Sequence, residues 1–169
     1  RTGKTNTIGL MVEDISNPFF ANLAKIIEDE ADKYGYTVMF CSTENNDHRA
    51  GSLLHMFKHR QMDGFIITPT IGLRADVQQL LEEKRPVVLL DRFFPGLESE
   101  IVSVDNYAGS NAATKWLLER GCKKIGIVTI FSDLVQMVDR VSGYRDAMKN
   151  INEDPETGWM LELKYEQSK

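Results

Sequence analysis

The sequence has little of what marks membrane, secreted or nucleic-acid-binding proteins. Its 169 residues include only two cysteines, Cys41 and Cys122, which lie far apart and suggest no disulfide framework. No apolar run approaches the roughly 20 residues that span a bilayer, and the first residues, RTGKTNT, lack the apolar stretch of a signal peptide. The 20 Lys and Arg are scattered in a chain of net charge −5, so no basic stripe for DNA is present. We expect a globular, cytoplasmic protein without a membrane segment, and any contact with DNA requires another segment.

The motifs of common enzyme classes are absent as well. The first strand-to-helix turn lacks G-x-G-x-x-G, and neither the P-loop G-x-x-x-x-G-K-[ST] nor the hydrolase elbow G-x-S-x-G occurs. A phosphoacceptor receiver needs an aspartate after the third strand, where this chain has Thr68-Pro69-Thr70. We therefore predict a protein that is not an enzyme and needs no cofactor. A flavodoxin-like enzyme is one alternative interpretation, and the absence of a phosphate-binding loop argues against it.

Three histidines are the only pattern that suggests a metal. His48, His55 and His59 are spaced by seven and four residues, which places them on one helix face. Basic side chains share that helix, and no cysteine or acid stands nearby at ligand spacing. The sequence therefore favours a solvated helix face, and we predict no metal site.

Strand and helix patterns alternate along most of the chain. Ile8 to Val12 is nearly continuously apolar, which is typical of a strand buried on both faces in a parallel sheet. Similar patterns predict strands near 36–41, 65–68, 87–90, 101–104 and 124–130, and helices near 18–34, 48–61, 73–84, 107–120 and 135–150. An alternating pattern at Trp159, Leu161, Leu163 and Tyr165 predicts a last, half-exposed strand. The predicted fold class is α/β, with a parallel sheet flanked by helices.

The stretch from Ile8 to Phe20 links a buried strand to a helix through a polar turn. Asn17 is a favoured N-cap and Pro18 suits the first helical position, so the helix begins beside the carboxyl end of the strand, where open α/β sheets bind ligands. Phe19 and Phe20 point about 100° apart on a helix, so at least one must pack in the core while the other can face a ligand. The sequence therefore predicts a ligand site at this edge.

Two further positions have a structural and a functional interpretation. Asp91 ends a buried strand at the same edge, where it is either a turn residue or a group that binds hydroxyls, and Arg92 would be a surface cation. Asp105 and Asn106 are interpreted as helix-capping residues, and Arg140 by spacing alone as a surface salt-bridge residue.

Five ordered segments are similar to one protein family: VEDISNPFF, MDGFIITPT, PVVLLDR, VSVDNYAGSNAATKWLLERGCKKIGIV and DRVSGYRDAM. Together they resemble the effector-binding core of LacI/GalR-family transcriptional regulators. The resemblance implies a periplasmic-binding-protein-like fold of two α/β subdomains that hold a small ligand. It implies a nearly complete first subdomain, residues 1–105, and a partial second one, residues 106–169. It also implies an N-terminal helix-turn-helix outside this chain, which would bind DNA, and a homodimer.

The resemblance also implies which residues bind the effector. Asp14, Ile15, Phe19 and Phe20 match the family's effector-lining turn and aromatic pair, Asp91 matches the acid that binds effector hydroxyls, and Arg140 matches an effector-binding arginine of the second subdomain. Two departures are Cys122, where the family usually has histidine, and Thr-Ile-Phe-Ser after the strand at 124–130. The expected function is sensing of a sugar or sugar derivative by a DNA-binding regulator, and the alternative is a periplasmic sugar-binding receptor of a transport system.

Overall fold

Strands and helices alternate through the chain, whose computed structural model describes residues 3–149 and 160–164. The strands are β1 (Thr7–Val12), β2 (Thr37–Ser42), β3 (Gly64–Ile67), β4 (Val87–Leu90), β5 (Glu100–Val102), β6 (Ile127–Ile130) and β7 (Met160–Leu163). The helices are α1 (Pro18–Lys33), α2 (Asp47–His59), α3 (Arg74–Glu82), α4 (Asn106–Glu119) and α5 (Val135–Met148). A 3-10 turn, Ile71–Leu73, leads into α3.

The chain forms two compact units, Arg1–Ser103 and Val104–Lys169. The first unit contains a five-stranded sheet in the order β2-β1-β3-β4-β5, and every neighbouring pair in it is parallel. Parallel neighbours require crossover connections, which the intervening helices supply. This architecture confirms the predicted α/β class with a parallel sheet flanked by helices.

Strand β1 lies inside the sheet and contributes to a core on each face. Leu10 and Val12 pack with Phe20 and Ala24 of α1, whereas Met11 packs with residues of α2 and α3 on the opposite face. All three β1 side chains are fully buried. The uninterrupted apolar run is therefore explained by helices on both sides of the sheet.

Helix α1 begins as the sequence predicts and ends slightly earlier. The side chain of Asn17 accepts a hydrogen bond from the N–H of Phe19 at 2.9 Å, and Pro18 occupies the first turn. The chain leaves the helix after Lys33 through Gly35, which has a φ of 74°. The helix predicted to reach Tyr34 ends one residue earlier, and Tyr34 is 74% exposed because it lies beyond the last helical turn.

The second unit is built around close packing of α4 on α5. A Cβ added at Gly143 would stand 2.3 Å from the carbonyl oxygen of Tyr107, so only glycine permits this approach. Asn111 Nδ2 donates to the carbonyl of Gly143 at 3.0 Å and the buried Tyr144 hydroxyl donates to the carbonyl of Ile125 at 2.7 Å. These contacts join the two helices and attach α5 to the segment before β6.

Strands β6 and β7 form a separate parallel pair in the second unit. The predicted strand at 124–130 is shorter than expected, because it starts only at Ile127 and the carbonyl of Ile125 binds Tyr144 instead of a strand. Leu161 and Leu163 of β7 are about half exposed, at 55% and 49%. Trp159 and Tyr165 lie outside the described residues. No helix in the described part of the chain has both the length and the apolar character needed to cross a membrane.

Candidate functional site

The carboxyl ends of the first four strands meet at one edge of the sheet in the first unit. Polar residues follow three of these strands: Glu13 and Asp14 after β1, Asn45 in the turn after β2, and Asp91 and Arg92 after β4. We call these five residues the strand-end cluster. This edge is the place at which open α/β sheets bind ligands.

Arg92 is the centre of the strand-end cluster. Its side chain is buried, its Nη2 is hydrogen-bonded and ion-paired with Glu13, and its Nη1 donates to Asn45 Oδ1 at 2.8 Å. Its Nε lies 3.8 Å from Asp91 Oδ2 and has no hydrogen-bond partner. Two carboxylates therefore face one guanidinium, which has to be neutralised to be buried.

The Arg92 side chain crosses the end of β3. Arg92 follows β4, Glu13 follows β1, and β3 lies between those two strands in the sheet. Neighbouring strands are about 4.8 Å apart, so the extended side chain spans roughly two strand spacings. The interpretation of Arg92 as a surface cation was wrong, since the residue is only 6% exposed. Sequence reasoning missed it because nothing in Leu90-Asp91-Arg92 shows that acceptors from β1 and β2 lie within reach.

Asp91 has a backbone conformation that is unusual for a residue other than glycine. Its φ is 66°, and the N–H of Arg92 donates to the carbonyl of Leu90 at 2.7 Å, which closes a three-residue turn around Asp91. Such turns store strain of about 1 kcal/mol or more, and they concentrate at functional sites. The N–H of Asp91 donates to the carbonyl of Val102 at 2.8 Å, which ties the turn to β5.

Asp14 and Ile15 form the turn between β1 and α1. The Asp14 carboxylate accepts from the backbone N–H of Ser16 at 2.8 Å and from its hydroxyl at 2.7 Å. The hydroxyl bond, followed by the backbone bond, lowers the pKa of Asp14 below its usual value. The N–H of Ile15 donates to the side chain of Ser42 at 3.0 Å, and the Ile15 side chain packs against the core below α1. This turn is therefore fixed by its own polar side chains.

The two phenylalanines at the start of α1 have different environments. Phe20 is 5% exposed and belongs to the core between α1 and the sheet, whereas Phe19 is 51% exposed. Their rings meet edge to face with centroids 5.1 Å apart. Phe19 is therefore the ring of the pair whose surface is open to a ligand, and Phe20 supports it from below.

Two buried threonines after β3 are a feature that no sequence pattern indicated. Thr68 and Thr70 are 1% and 2% exposed, and their hydroxyl oxygens are buried without a hydrogen-bond partner. Buried hydroxyls are usually paired, so unpaired ones merit an explanation. They lie in the Thr68-Pro69-Thr70 segment, at the end of β3 where a receiver domain would have its aspartate.

Arg140, in the second unit, is hydrogen-bonded to the side-chain amide of Asn106. Its Nε donates to Asn106 Oδ1 at 2.8 Å, and Asn106 Nδ2 donates to the carbonyl of Val104 at 3.1 Å. Asp105 is the helix cap, since its carboxylate accepts from the N–H of Ala108 at 2.8 Å. The salt-bridge interpretation of Arg140 was wrong for the described residues, where Nε is the atom through which the guanidinium is bound. Asn106 positions the guanidinium rather than capping α4.

The segment after β6 borders a cavity within the second unit. Thr129 to Asp133 line it together with α5 residues such as Val141 and Arg145, and its volume is about 220 Å³. This is the Thr-Ile-Phe-Ser segment that departs from the family pattern. Among the sequence-predicted site residues, Asp14, Ile15, Phe19, Phe20 and Asp91 belong to the first unit and Arg140 to the second.

The histidine and cysteine patterns lead to no further site. His48, His55 and His59 are exposed along α2, and the part of the chain that the structure describes contains no group of three potential ligands placed to hold a metal ion. Both cysteines are free, and burial raises the pKa of Cys41.

Comparison with known proteins identifies the class to which this fold and strand-end cluster belong. Residues 5–167 match the family of periplasmic binding proteins and the sugar binding domain of the LacI family. The chain therefore belongs to this family. The match confirms the sequence resemblance and the periplasmic-binding-protein-like fold.

Its relatives include named transcriptional regulators. The chain is 35% identical to a ribose operon repressor of Halalkalibacterium halodurans, over 84% of this chain and 42% of that protein. It is 32% identical to the HTH-type transcriptional regulator DegA of Bacillus subtilis, over 88% of this chain and 45% of that protein. The chain thus spans less than half the length of these two relatives.

Solved structures show the same fold. A protein assigned as a ribose operon repressor of Burkholderia thailandensis superposes with a TM-score of 0.86 at 29% identity, covering 94% of this chain and 61% of that one. The Cra transcriptional dual regulator of Pseudomonas putida, in complex with fructose 1-phosphate, gives a TM-score of 0.81 at 23% identity, covering 95% and 58%. The second likeness concerns the fold alone.

Proposed function

We propose that this chain is the effector-sensing part of a cytoplasmic, homodimeric transcriptional regulator of the LacI type. In this proposal it binds a sugar or sugar derivative and has no catalytic activity, and a helix-turn-helix outside the chain binds the operator. The observation that carries the proposal is the strand-end cluster, which presents fixed carboxylates at the ligand-binding edge of a fold that the family uses for sugar binding. The named relatives are regulators, which supports the same conclusion.

The proposed effector contacts come from both units, which we propose are the two subdomains of the effector core. In the first unit, Asp91 and Asp14 accept hydrogen bonds from hydroxyl groups, Ile15 lines the turn, and the exposed ring of Phe19 stacks on the C–H face of a sugar while Phe20 supports it. In the second unit, Arg140 donates hydrogen bonds from its Nη atoms, since Asn106 holds the side chain through Nε. Carboxylates and a guanidinium together match the donors and acceptors of a polyhydroxyl ligand.

Regulation follows from differential affinity. A ligand shifts an equilibrium between two arrangements only to the extent that it binds one more tightly than the other. Contacts in both units give the effector such a preference, because it then binds the arrangement in which both sets of contacts are made. That preference changes the affinity of the regulator for its operator.

The family description also includes periplasmic binding proteins, which favours one second candidate, an exported sugar receptor. The coding sequence upstream of Arg1 distinguishes the two candidate functions. Codons upstream of Arg1 that encode a helix-turn-helix support the regulator, whereas a basic, then apolar, then small-residue leader would make the protein an exported receptor.

Binding to DNA is then measured directly. The complete gene product is mixed with its own upstream DNA, and a mobility shift is recorded with and without a panel of sugars. The proposal is supported if one sugar either releases the protein from the DNA or tightens its binding to the DNA. A gene product that binds sugar but no DNA would contradict it.

A further inference from the structure

The strand-end cluster has an excess of negative charge around one buried cation. Glu13, Asp14 and Asp91 contribute three carboxylates, whereas Arg92 contributes a single guanidinium. The exposed cation Arg49 is already paired with Glu44, at 3.3 Å. The first N–H group of α1 is taken by Asn17. Arg74, at the start of α3, is exposed and binds the carbonyl of Pro95 through Nη1. Arg92 is therefore the one buried cation among the described residues at this edge.

Glu13 is the residue that covers the guanidinium. Its carboxylate binds Nη2 of Arg92, which is the same kind of donor that arginines use to bind phosphates and carboxylates. The Glu13 side chain is 21% exposed and that of Arg92 only 7%, so Glu13 is the more accessible member of the pair. An anionic ligand group that approached Arg92 would have to compete with this carboxylate and would be repelled by it.

We propose that Glu13, through its ion pair with Arg92, makes this site select neutral polyhydroxyl effectors over phosphorylated or otherwise anionic ones. A neutral hydroxyl still hydrogen-bonds the carboxylates of the cluster. A phosphate is repelled by these carboxylates and finds Arg92 occupied, so Arg140, the one cation among the proposed effector contacts, has to bind it against that repulsion. This inference deepens the proposed function and rests on it for the location of the effector. Glu13 is a specificity-determining residue in this account.

The test compares neutral and anionic probes on the complete gene product. D-Ribose and D-fructose are the neutral probes, and D-ribose 5-phosphate and D-fructose 1-phosphate are their charged counterparts. Inorganic phosphate measures the affinity of the site for an anion without a sugar. Affinity is measured by calorimetry and by the ligand-dependent rise in the melting temperature. In the unaltered protein we expect each sugar phosphate to bind at least about tenfold more weakly than its sugar, and inorganic phosphate to give no shift. Tighter binding of a sugar phosphate would overturn the inference and leave the proposed function in place.

The decisive variant is Glu13→Gln, which removes the charge and keeps the shape. We expect it to bind inorganic phosphate at least about tenfold more tightly than the unaltered protein and to gain thermal stability from it. The rise in melting temperature is readable even if the uncovered arginine lowers the stability of the variant. No gain in phosphate binding would refute the proposed role of Glu13.

Two further variants separate the ion pair from general charge. Glu98→Gln removes one exposed negative charge of the first unit and leaves Glu13 and Arg92 paired, so it should show no gain; an equal gain would refute the inference. In Glu13→Gln with Arg92→Met the gain should disappear. If no sugar binds any variant while phosphate behaves as described, Glu13 does exclude anions from Arg92, but the selection of neutral polyhydroxyl effectors and the proposed sugar effector are both wrong.

Discussion

The rings of Phe19 and Phe20 lie edge to face with centroids 5.1 Å apart, yet one is half exposed and the other is buried. Adjacent residues on a helix diverge by about 100°, so the pair spans the boundary between core and surface. Phe20 fixes the start of α1 against β1, and Phe19 presents its ring at the surface. The two residues therefore have separate contributions to stability and to binding.

Replacing each ring by alanine tests this separation. Phe20→Ala should lower the free energy of unfolding by about 3–5 kcal/mol, because it leaves a cavity in the core. Phe19→Ala should lower it by about 1 kcal/mol or less and weaken effector binding by roughly 2- to 10-fold. Urea denaturation and calorimetric titration measure the two effects. A larger loss of stability for Phe19→Ala than for Phe20→Ala would contradict the assignment.

Asp91 combines a positive φ with a carboxylate at the sheet edge. Asn tolerates the same backbone region, so Asp91→Asn should change the free energy of unfolding by less than about 1 kcal/mol. It should weaken effector binding by roughly 10- to 100-fold, because a hydrogen bond to a charged acceptor is lost. Asp91→Ala is the matched control and should also lose stability, by about 1–2 kcal/mol. Unchanged effector affinity in Asp91→Asn would argue that Asp91 is only a turn residue.

Arg140 is held through Nε by Asn106 at 2.8 Å. Arg140→Ala in the complete gene product should weaken effector binding by roughly 10- to 100-fold while leaving folding nearly intact. Arg120→Ala is the control, since that guanidinium lies over the Trp116 ring at 3.4 Å and has no proposed effector contact. Equal affinity of the Arg140→Ala variant and the unaltered protein would remove Arg140 from the site.

Gly143 allows α4 and α5 to approach closely, and a Cβ there would lie 2.3 Å from the Tyr107 carbonyl oxygen. Gly143→Ala should therefore destabilise the second unit by about 1–3 kcal/mol, because α5 must move away. Gly109→Ala, on α4, meets no atom within 4 Å and should instead stabilise the helix by up to about 1 kcal/mol. Thermal unfolding followed by circular dichroism compares them, and a stabilising Gly143→Ala would show that the contact is not tight.

The lowered pKa of Asp14 makes its contribution to stability dependent on pH. A carboxylate whose pKa is lower in the folded state stabilises the protein above its unfolded pKa, near 3.9, and loses that contribution as pH falls through the folded value. The unaltered protein should therefore be more stable than Asp14→Asn at pH 7, and the difference should shrink below about pH 4. In a Ser16→Ala background the difference at pH 7 should be smaller, because the hydroxyl bond is lost. A difference that grows on acidification would contradict this origin.

The sequence by itself determined the order and type of most elements. Local signals can be interpreted without knowledge of the fold. Examples are the apolar run of β1, the Asn17-Pro18 helix start and the glycine after α1. The sequence also placed Asp14, Phe19 and Asp91 at the carboxyl edge, since parallel strands bring their ends together whatever their order. Element boundaries were predicted less accurately: the strand expected at 124–130 begins only at Ile127, because the carbonyl of Ile125 binds Tyr144.

Only the tertiary structure decided which side chains share a charge or a hydrogen bond. The ion pair of Arg92 with Glu13 joins residues 79 positions apart, and the bond of Arg140 to Asn106 joins residues 34 apart. Such pairs depend on strand order and helix packing. The sequence shows only that a charged residue stands next to a strand, and it does not show which distant residue it will meet. Arg92, which the sequence suggested as a surface residue, is therefore the centre of the strand-end cluster. A buried guanidinium requires hydrogen-bond acceptors, and here only distant segments supply them.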